Sequence, residues 1–556
     1  MSGYFSSIVS AAELRDSYTR RQMLGGSGLI AATLLGSLAV TRIARASEGA
    51  QPGEPLSGDM GGDPGSQPQG APGDAGGMGG GADTMTFDYT GTYTAALEAD
   101  GAQVSSQGET YAATDVDQNA ALAQNAGTLM ISGDTLTKSG DDTNGDNCNF
   151  YGCNSVALAV GEGSSIQMDN TTLSATGEGS NGVFATDGAT VLASAIDIAT
   201  TAGNSRGLDA TYSGTIVADD VTISTQGDHC AGVATDRGGG SISLTNSDIS
   251  TAGSGSPILY STGDIEVSGI SGTATGSQLC GMEGLNTILI NASKLSSSIT
   301  AATASDPVAD GVIIYQSTSG DAESTTGETA TFQAVNSTLS SAIASGAMFY
   351  LTNTSAQVVL SNTALEFDSD AACLLYCAGN DSNNWGTAGS NGATCTFTGI
   401  GQELAGNVVV DTISQVDLYL LEGSVWTGIG SIEENATGST VDAPLNVYVG
   451  ADSFWKPTAD CTVSSLHVAS GGQVVDASGA TVTIVAAGAT AVSGTSTLTV
   501  TVTGEYDTTV ETGDANALAT DLIDRSAFDE AFGTSTSFAM GDAVETVGAS
   551  GTKDVA

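Results

Sequence analysis

Seven residues of this 556-residue chain have the types that acid–base chemistry or ligand binding requires: Arg206, Asp209, Asp228, His229, Asp236, Arg237 and Glu283. They gather in one region when the chain is aligned on Gly182, Gly207, Gly232 and Gly281. Carboxylates beside a histidine or arginine are what glycan cleavage needs. A lyase takes a proton with a basic side chain, and a hydrolase sets two carboxylates about 5–9.5 Å apart. The same residues also read as ion pairs that close turns between stacked coils, an arrangement that says little about function. A ligand patch and a structural cluster are both open at this level.

Three weaker constellations stand beside it. Asp142, Asn144 and Asp146 offer oxygens at alternate positions, as calcium loops do, but no glutamate completes the loop. A solvated turn is the expectation there, calcium is the one candidate ion, and no other cofactor is indicated. Tyr260, Tyr315, Tyr350 and Tyr376 are spaced by one or two repeats and are expected to pack inward as core. Eight cysteines and only two histidines, His229 and His467, make a Cys/His zinc site improbable. The close pairs Cys148/Cys153 and Cys373/Cys377 are candidates for loop disulfides.

These residues must be positioned by a repeat. An apolar anchor falls at Ile166, Val191, Ile216, Ile242, Ile265 and Ile288, in steps of 25, 25, 26, 23 and 23 residues. A second anchor falls at Leu173, Ile198, Ile223 and Ile249. A third follows a turn as Gly182-Val183, Gly207-Leu208, Gly232-Val233, Pro257-Ile258 and Gly281-Met282. Three short alternating segments and three turns in about 25 residues make one coil of a parallel β-helix. Crossovers in such a solenoid are right-handed. Thr200, Thr225 and Thr251 share parity with the buried isoleucines and form an internal or corner ladder. Strand pieces persist at 311–315, 331–335, 358–360, 418–421 and 446–449, and the longest interruption is 378–392. Beyond 502, residues 515–532 suit a helix with Leu518, Leu522, Phe528 and Phe532 on one face, assigned as the cap of the open end.

Composition sets the class. Glycine contributes 75 residues and proline 9, and 556 residues exceed what one compact core holds, so a one-dimensional solenoid fits. Twelve basic residues face 62 acidic ones, a net charge of −50, which excludes nucleic acid as a partner. Thr19-Arg20-Arg21-Gln22-Met23-Leu24 resembles a twin-arginine export motif. An apolar stretch and Ala44-Arg45-Ala46 follow it, so 1–46 is expected to be a signal peptide. Residues 47–84 form a Gly/Pro/Ser-rich linker, 85–510 the β-helix, and 511–556 the helical cap and tail.

The segments NGVFATDGATV, SRGLDATYSGTI, ATDRGGGSISL and SPILYSTGDIEV, with VWTGIG and FWKPTADCTVSSLHV further on, carry a resemblance. The chain resembles bacterial secreted or cell-surface β-helix proteins of the adhesin and autotransporter-passenger kind. That resemblance implies an exported protein at the cell envelope or outside it. It implies adhesion or surface display and supplies no defined ligand or catalytic residues; glycans or extracellular surface proteins, bound without catalysis, are the expected partners. A β-helix polysaccharide lyase or glycoside hydrolase and a passive surface-layer spacer are the alternatives. The G-H-G and R-I-K segments of polygalacturonase-like proteins are missing, and Asp219-Asp220 is a weak substitute.

Overall fold

The computed structural model describes residues 85–303, 306–317, 322, 329–380, 385–542 and 545–548. The expected signal peptide and linker lie outside the described residues. The described residues fall in one compact unit.

The chain is a right-handed parallel β-helix. One face is a 13-stranded parallel sheet that starts with Ala95–Asp100 and ends with Gly430–Glu433. Two further faces alternate with it, as in Ser165–Asp169 and Thr172–Ala175. The bend between these two faces is one column of left-handed residues: Asn170, Ala195, Asp220, Asn246, Gly269, Ala292, Asn336 and Asn362, with φ from 45° to 67°. Asparagine, aspartate and glycine dominate because that conformation costs other side chains more. In two coils the chain passes through the bend as single 11-residue strands, Thr190–Thr200 and Thr215–Thr225.

The first anchor column is a true rung-to-rung column, from Ile166 through Val191, Ile216, Ile242, Ile265 and Ile288 to Phe332. The second is also in register, Leu173 to Ile249. The third slips after Val233, whose neighbours are Leu259 and then Cys280, not Ile258 and Met282. The slip has a steric origin. A Cβ on Gly182, Gly207 or Gly232 would lie 2.4–2.5 Å from Cγ2 of Ile198, Ile223 or Ile249. In the next coil the sizes exchange: Ile258 takes the glycine position, and Gly272 replaces the isoleucine and leaves room for the Ile258 side chain. Thr200, Thr225 and Thr251 are buried at a corner, where each hydroxyl donates 2.6 Å across the turn to the carbonyl of Ser205, Cys230 or Ser256. Farther along, Trp426 and Trp455 stack inside at 5.0 Å and donate to Gly406 O and Gly428 O.

The C-terminal segment departs from expectation. Its helix, α2 (Ser526–Phe532), spans seven residues, and Leu518 and Leu522 precede it. It packs on Leu192 and Val217, on the side of the solenoid rather than over its end. At the end itself, core residues Val463, Val482, Ile484, Val500 and Val502 belong to or adjoin a small sheet that includes the antiparallel pair 483–486 and 489–492. Residues 516–531 instead run back along one outward column of the second face. Asn516 donates to Thr398, Gln333 bonds both Ala517 O and Ala519 N, and both Glu266 oxygens accept from Ile523 N. Gln167 donates to Ala531 O. Eight rungs at about 4.8 Å make this strap about 38 Å long. Its centre is Arg525, buried and donating to Ser243 O and Oγ, Ala218 O and Thr245 Oγ1 at 2.9–3.2 Å. The helix failed to extend to 515 because this string of sheet contacts holds the chain extended until Arg525.

Two outcomes follow. Gly207→Ala must push its Cβ against Gly232 O at 2.4 Å, so thermal or denaturant unfolding should show a loss of about 1–3 kcal/mol. Arg525→Ala leaves buried acceptors unpaired, with an expected loss of about 2–4 kcal/mol. Limited proteolysis should then cut within 508–542 well before the solenoid is touched.

Candidate functional site

The first face has an outward column as well as an inward one: Phe184, Asp209, Ala234, Tyr260, Gly281, Ile313, Tyr350 and Tyr376. Two segments cover its early rungs. Residues 85–93 bring Phe87, Tyr89 and Tyr93 against Leu122, Leu158 and Phe184. The other is a helix, α1 (Gly145–Tyr151), where a solvated turn was expected. Asn144 is its N-cap, with Oδ1 accepting from Asp146 N and Asn147 N, and Gly152 ends it in the left-handed region at φ 72°. The Asn144 oxygen of the calcium-like triplet is therefore engaged in capping, while Asp142 interacts with the Cys148 thiol. Among the described residues no three His, Cys, Asp or Glu side chains are grouped to hold a metal.

Beneath α1 lies the core of the seven-residue cluster. Arg206 Nη1 donates to Asp209 Oδ2 at 3.2 Å and to Asn149 Oδ1 at 2.9 Å, and Nη2 donates to Asp236 Oδ2 at 3.0 Å. The Arg237 guanidinium lies 3.6 Å over the Phe150 ring. Glu283 joins through Tyr260: Tyr260 and Tyr315 both donate to its Oε2 at 2.9–3.0 Å, and Ser317 donates to Oε1. Asp228 and His229 sit apart on an earlier turn, where Asp228 Oδ1 accepts from Ser254 N. Burial, then the Arg206 charge, lowers the pKa of His229, whose Nδ1 is buried without a hydrogen-bond partner.

The centre of this cluster is sealed: Arg206 is 1% exposed, Asp209 0% and Asp236 1%, so no saccharide reaches these three, whereas Arg237 and His229 are half-buried and Asp228 is exposed. In the tyrosine series Tyr260, Tyr315 and Tyr350 are buried and Tyr376 is half-buried, but outside the sheet rather than within the solenoid. Tyr315 and Tyr350 pack with Ile313 and with Trp385, whose ring stacks on Tyr315 at 4.3 Å. The disulfide candidates do not hold. Cys148 turns to Gly145 O and Cys153 to Tyr89. Cys373 and Cys377 are four residues apart on one strand, about 13 Å, beyond the 7 Å reach of a disulfide.

A second constellation was not legible as a site. The outward column that the strap covers as far as Thr398 continues through Tyr419, Tyr448, His467 and Asp507. Tyr419 stacks on Tyr448 at 4.2 Å, and Tyr448 on His467 at 4.5 Å. His467 Nδ1 lies 2.8 Å from Asp507 Oδ1, and its Nε2 3.2 Å from Ser465 Oγ. Serine, histidine and aspartate in this order suggest an activated nucleophile, but the hydrogen bonds run the other way. Ser465 donates its proton to Asn446 Oδ1 at 2.7 Å, and Asn446 is oriented by donating to Asp417 Oδ1 at 2.7 Å. The hydroxyl proton is thus committed to Asn446 rather than to His467, whereas a nucleophile must donate to its base. The neighbouring N–H groups of Ser464 and Leu466 are held by Leu445 O and Glu505 O, so neither is available to stabilise an oxyanion. The available signal was the alternation Ser465-Leu466-His467, which puts both polar side chains on one face of a strand.

The sealed cluster has a pH signature. Burial pushes the Asp209 carboxyl up to about 7, opposed by Arg206, whose guanidinium it shares with Asp236. The unfolded chain releases that proton near the ordinary value of about 4. Between these limits folding takes up a proton, so stability falls as pH rises from about 4 to 7 and levels off above. Thermal midpoints at pH 5 and pH 8 should show this fall, and Asp209→Asn should reduce it. An unchanged slope in the variant would remove Asp209 as its source.

No family model matches the chain, and no curated protein does. Among solved structures, the cryo-EM structure of the Vag8–C1 inhibitor complex contains a chain similar to this one at 14% sequence identity and a TM-score of 0.37. The match covers 74% of this chain and 99% of that one. The assignment to the parallel β-helix fold rests on the strand pairing of this chain itself.

Proposed function

We propose that this protein is an exported β-helix that recognises extracellular partners without chemistry, and that its recognition surface is the row Tyr419–Tyr448–His467. The observation that supports this reading is the contrast between the two constellations. Arg206, Asp209 and Asp236 are sealed beneath α1, while Tyr419 and Tyr448 stay partly exposed past the end of the strap, with Asp417 and Asp507 beside the row and His467, its side chain 13% exposed, at its far end. Ring edges, phenol hydroxyls and carboxylates suit the hydroxyls of a neutral glycan. A net charge of −50 opposes anionic glycans and favours neutral ones or basic protein surfaces. The twin-arginine-like segment supports export, and the rigid stack of coils suits display away from the envelope.

Purified protein should bind neutral glycans on an array, or failing that a basic extracellular protein, and release no new sugar ends. Tyr448→Ala should weaken that binding at least tenfold, because it removes the middle ring of the stack, while far-UV circular dichroism stays unchanged. Release of reducing or unsaturated ends that Asp236→Ala abolishes would overturn the proposal in favour of a polysaccharide-active enzyme. Absence of both binding and turnover would favour a passive spacer.

A further inference from the structure

Two inward columns meet at one corner of the solenoid, and in a single coil both become cysteine. On the first face the column runs Ile314, Leu351, Cys377, Val410. On the adjoining face it runs Ala356, Cys395, Val416. Apolar side chains fill this corner in the coils on either side, so packing alone does not ask for sulfur there. Cys377 and Cys395 are 0% and 1% exposed within the same core, both thiols are free in this structure, and Cys395 lies near enough to help hold the Cys377 thiol protonated. Between them the chain leaves the coil at Ala378 and returns at Ala393. On that excursion it carries Trp385 onto Tyr315, and Asn391 donates to Asn380 O and Trp385 O.

We propose that Cys377 and Cys395 form a disulfide that staples this corner shut and fixes both ends of the excursion. The proposal rests on the reading of the protein as exported, because such a bond persists only in an oxidising compartment. The oxidant is a small-molecule or protein disulfide. One cysteine thiolate attacks it, forms a mixed disulfide and displaces a thiolate; the second cysteine thiolate then attacks the mixed disulfide and displaces the other. The Cys377–Cys395 bond forms and the oxidant's S–S bond breaks. Two cysteine thiols lose two electrons and two protons, and the oxidant leaves as two thiols. Burial raises the Cys377 thiol well above its ordinary range, so exchange proceeds when the corner opens and stops when it closes. The closed bond is thereby shielded from reductant.

The test is refolding of the full chain in a buffer of reduced and oxidised glutathione, followed by intact mass and peptide mapping. The expected result is one bond between Cys377 and Cys395, with a mass lower by two hydrogens, that resists reductant until denaturant is added. Cys377→Val and Cys395→Ala place in each column the residue of an adjacent coil, so both variants should fold, and each should abolish the bond. Native-like folded protein with both thiols free, or paired to other cysteines, overturns the staple. Protein isolated from the producing cell answers the separate question. If the refolded chain forms the bond while the cellular protein is reduced and intracellular, export fails as a reading and the staple stands.

Discussion

The constraint on which the rest depends is that each residue in a coil lies directly over its counterpart in the next, about 4.8 Å away. Side chains must therefore be acceptable as columns, not one by one. Isoleucine satisfies this by stacking on isoleucine, and glycine is required wherever a neighbouring column would otherwise collide. The exchange from Gly232/Ile249 to Ile258/Gly272 shows that the sum of two columns is held constant rather than either residue. At the corner after the threonines, Ser205, Cys230 and Ser256 occupy one column. Each uses its side chain to accept the N–H of the coil before, from Ser180, Ser205 and Cys230. Cys230 is there as a substitute for serine.

The same constraint governs charge. Stacked carboxylates at 4.8 Å repel, yet the protein carries a net charge of −50. Part of the resolution is position. Asp141, Glu178 and Asp228 sit at turns, and each accepts a backbone N–H from the following coil, Glu178 N, Gly203 N and Ser254 N. These carboxylates close the turns while keeping contact with water. Where charge is buried it interrupts a column instead: Asp209 stands between Phe184 and Ala234, and Glu266 between Ser243 and Leu289. Each has a dedicated partner: for the first Arg206 of the same coil, itself held by Asn149 of α1, and for the second Ile523 N of the strap.

The legible part of the fold was the part that repeats. Anchors at Ile166 to Ile288 and Leu173 to Ile249 stand in the register read from spacing, because each is set by contacts within its own column. The third anchor slipped at Ile258 because its position depends on a second column, which spacing along one column does not reveal. Segments outside the coils were less legible still. The strap is a run of local sequence whose conformation is dictated by Thr398, Gln333, Glu266 and Ser243, none near it in the chain. Likewise α1 is short, and its signal was one Asn144 cap, equally suited to a calcium loop. For the candidate site, alignment on glycines brought seven residues to one region, of which Arg206, Asp209 and Asp236 pair directly while Asp228 and His229 lie on another turn. The burial of the paired three was not legible, since α1, which lies over them, is outside the repeat.

Repetition also bears on where function resides. A solenoid column favours the same residue type again and again, whereas catalysis needs different types at fixed separations. Chemistry on such a scaffold must therefore appear where columns break, and in the first face the break at Asp209 has been roofed over. A row of like rings, by contrast, is what stacking produces without any break: Tyr419, Tyr448 and His467 are planar groups that tolerate their neighbours at 4.2–4.5 Å. The strap covers this outward column from Gln167 to Thr398 and stops one rung short of Tyr419. Coverage and repetition thus select the same place. Among the described residues of that column, this is the stretch in which stacked aromatic edges with polar neighbours meet solvent, and it is where the proposed recognition surface lies.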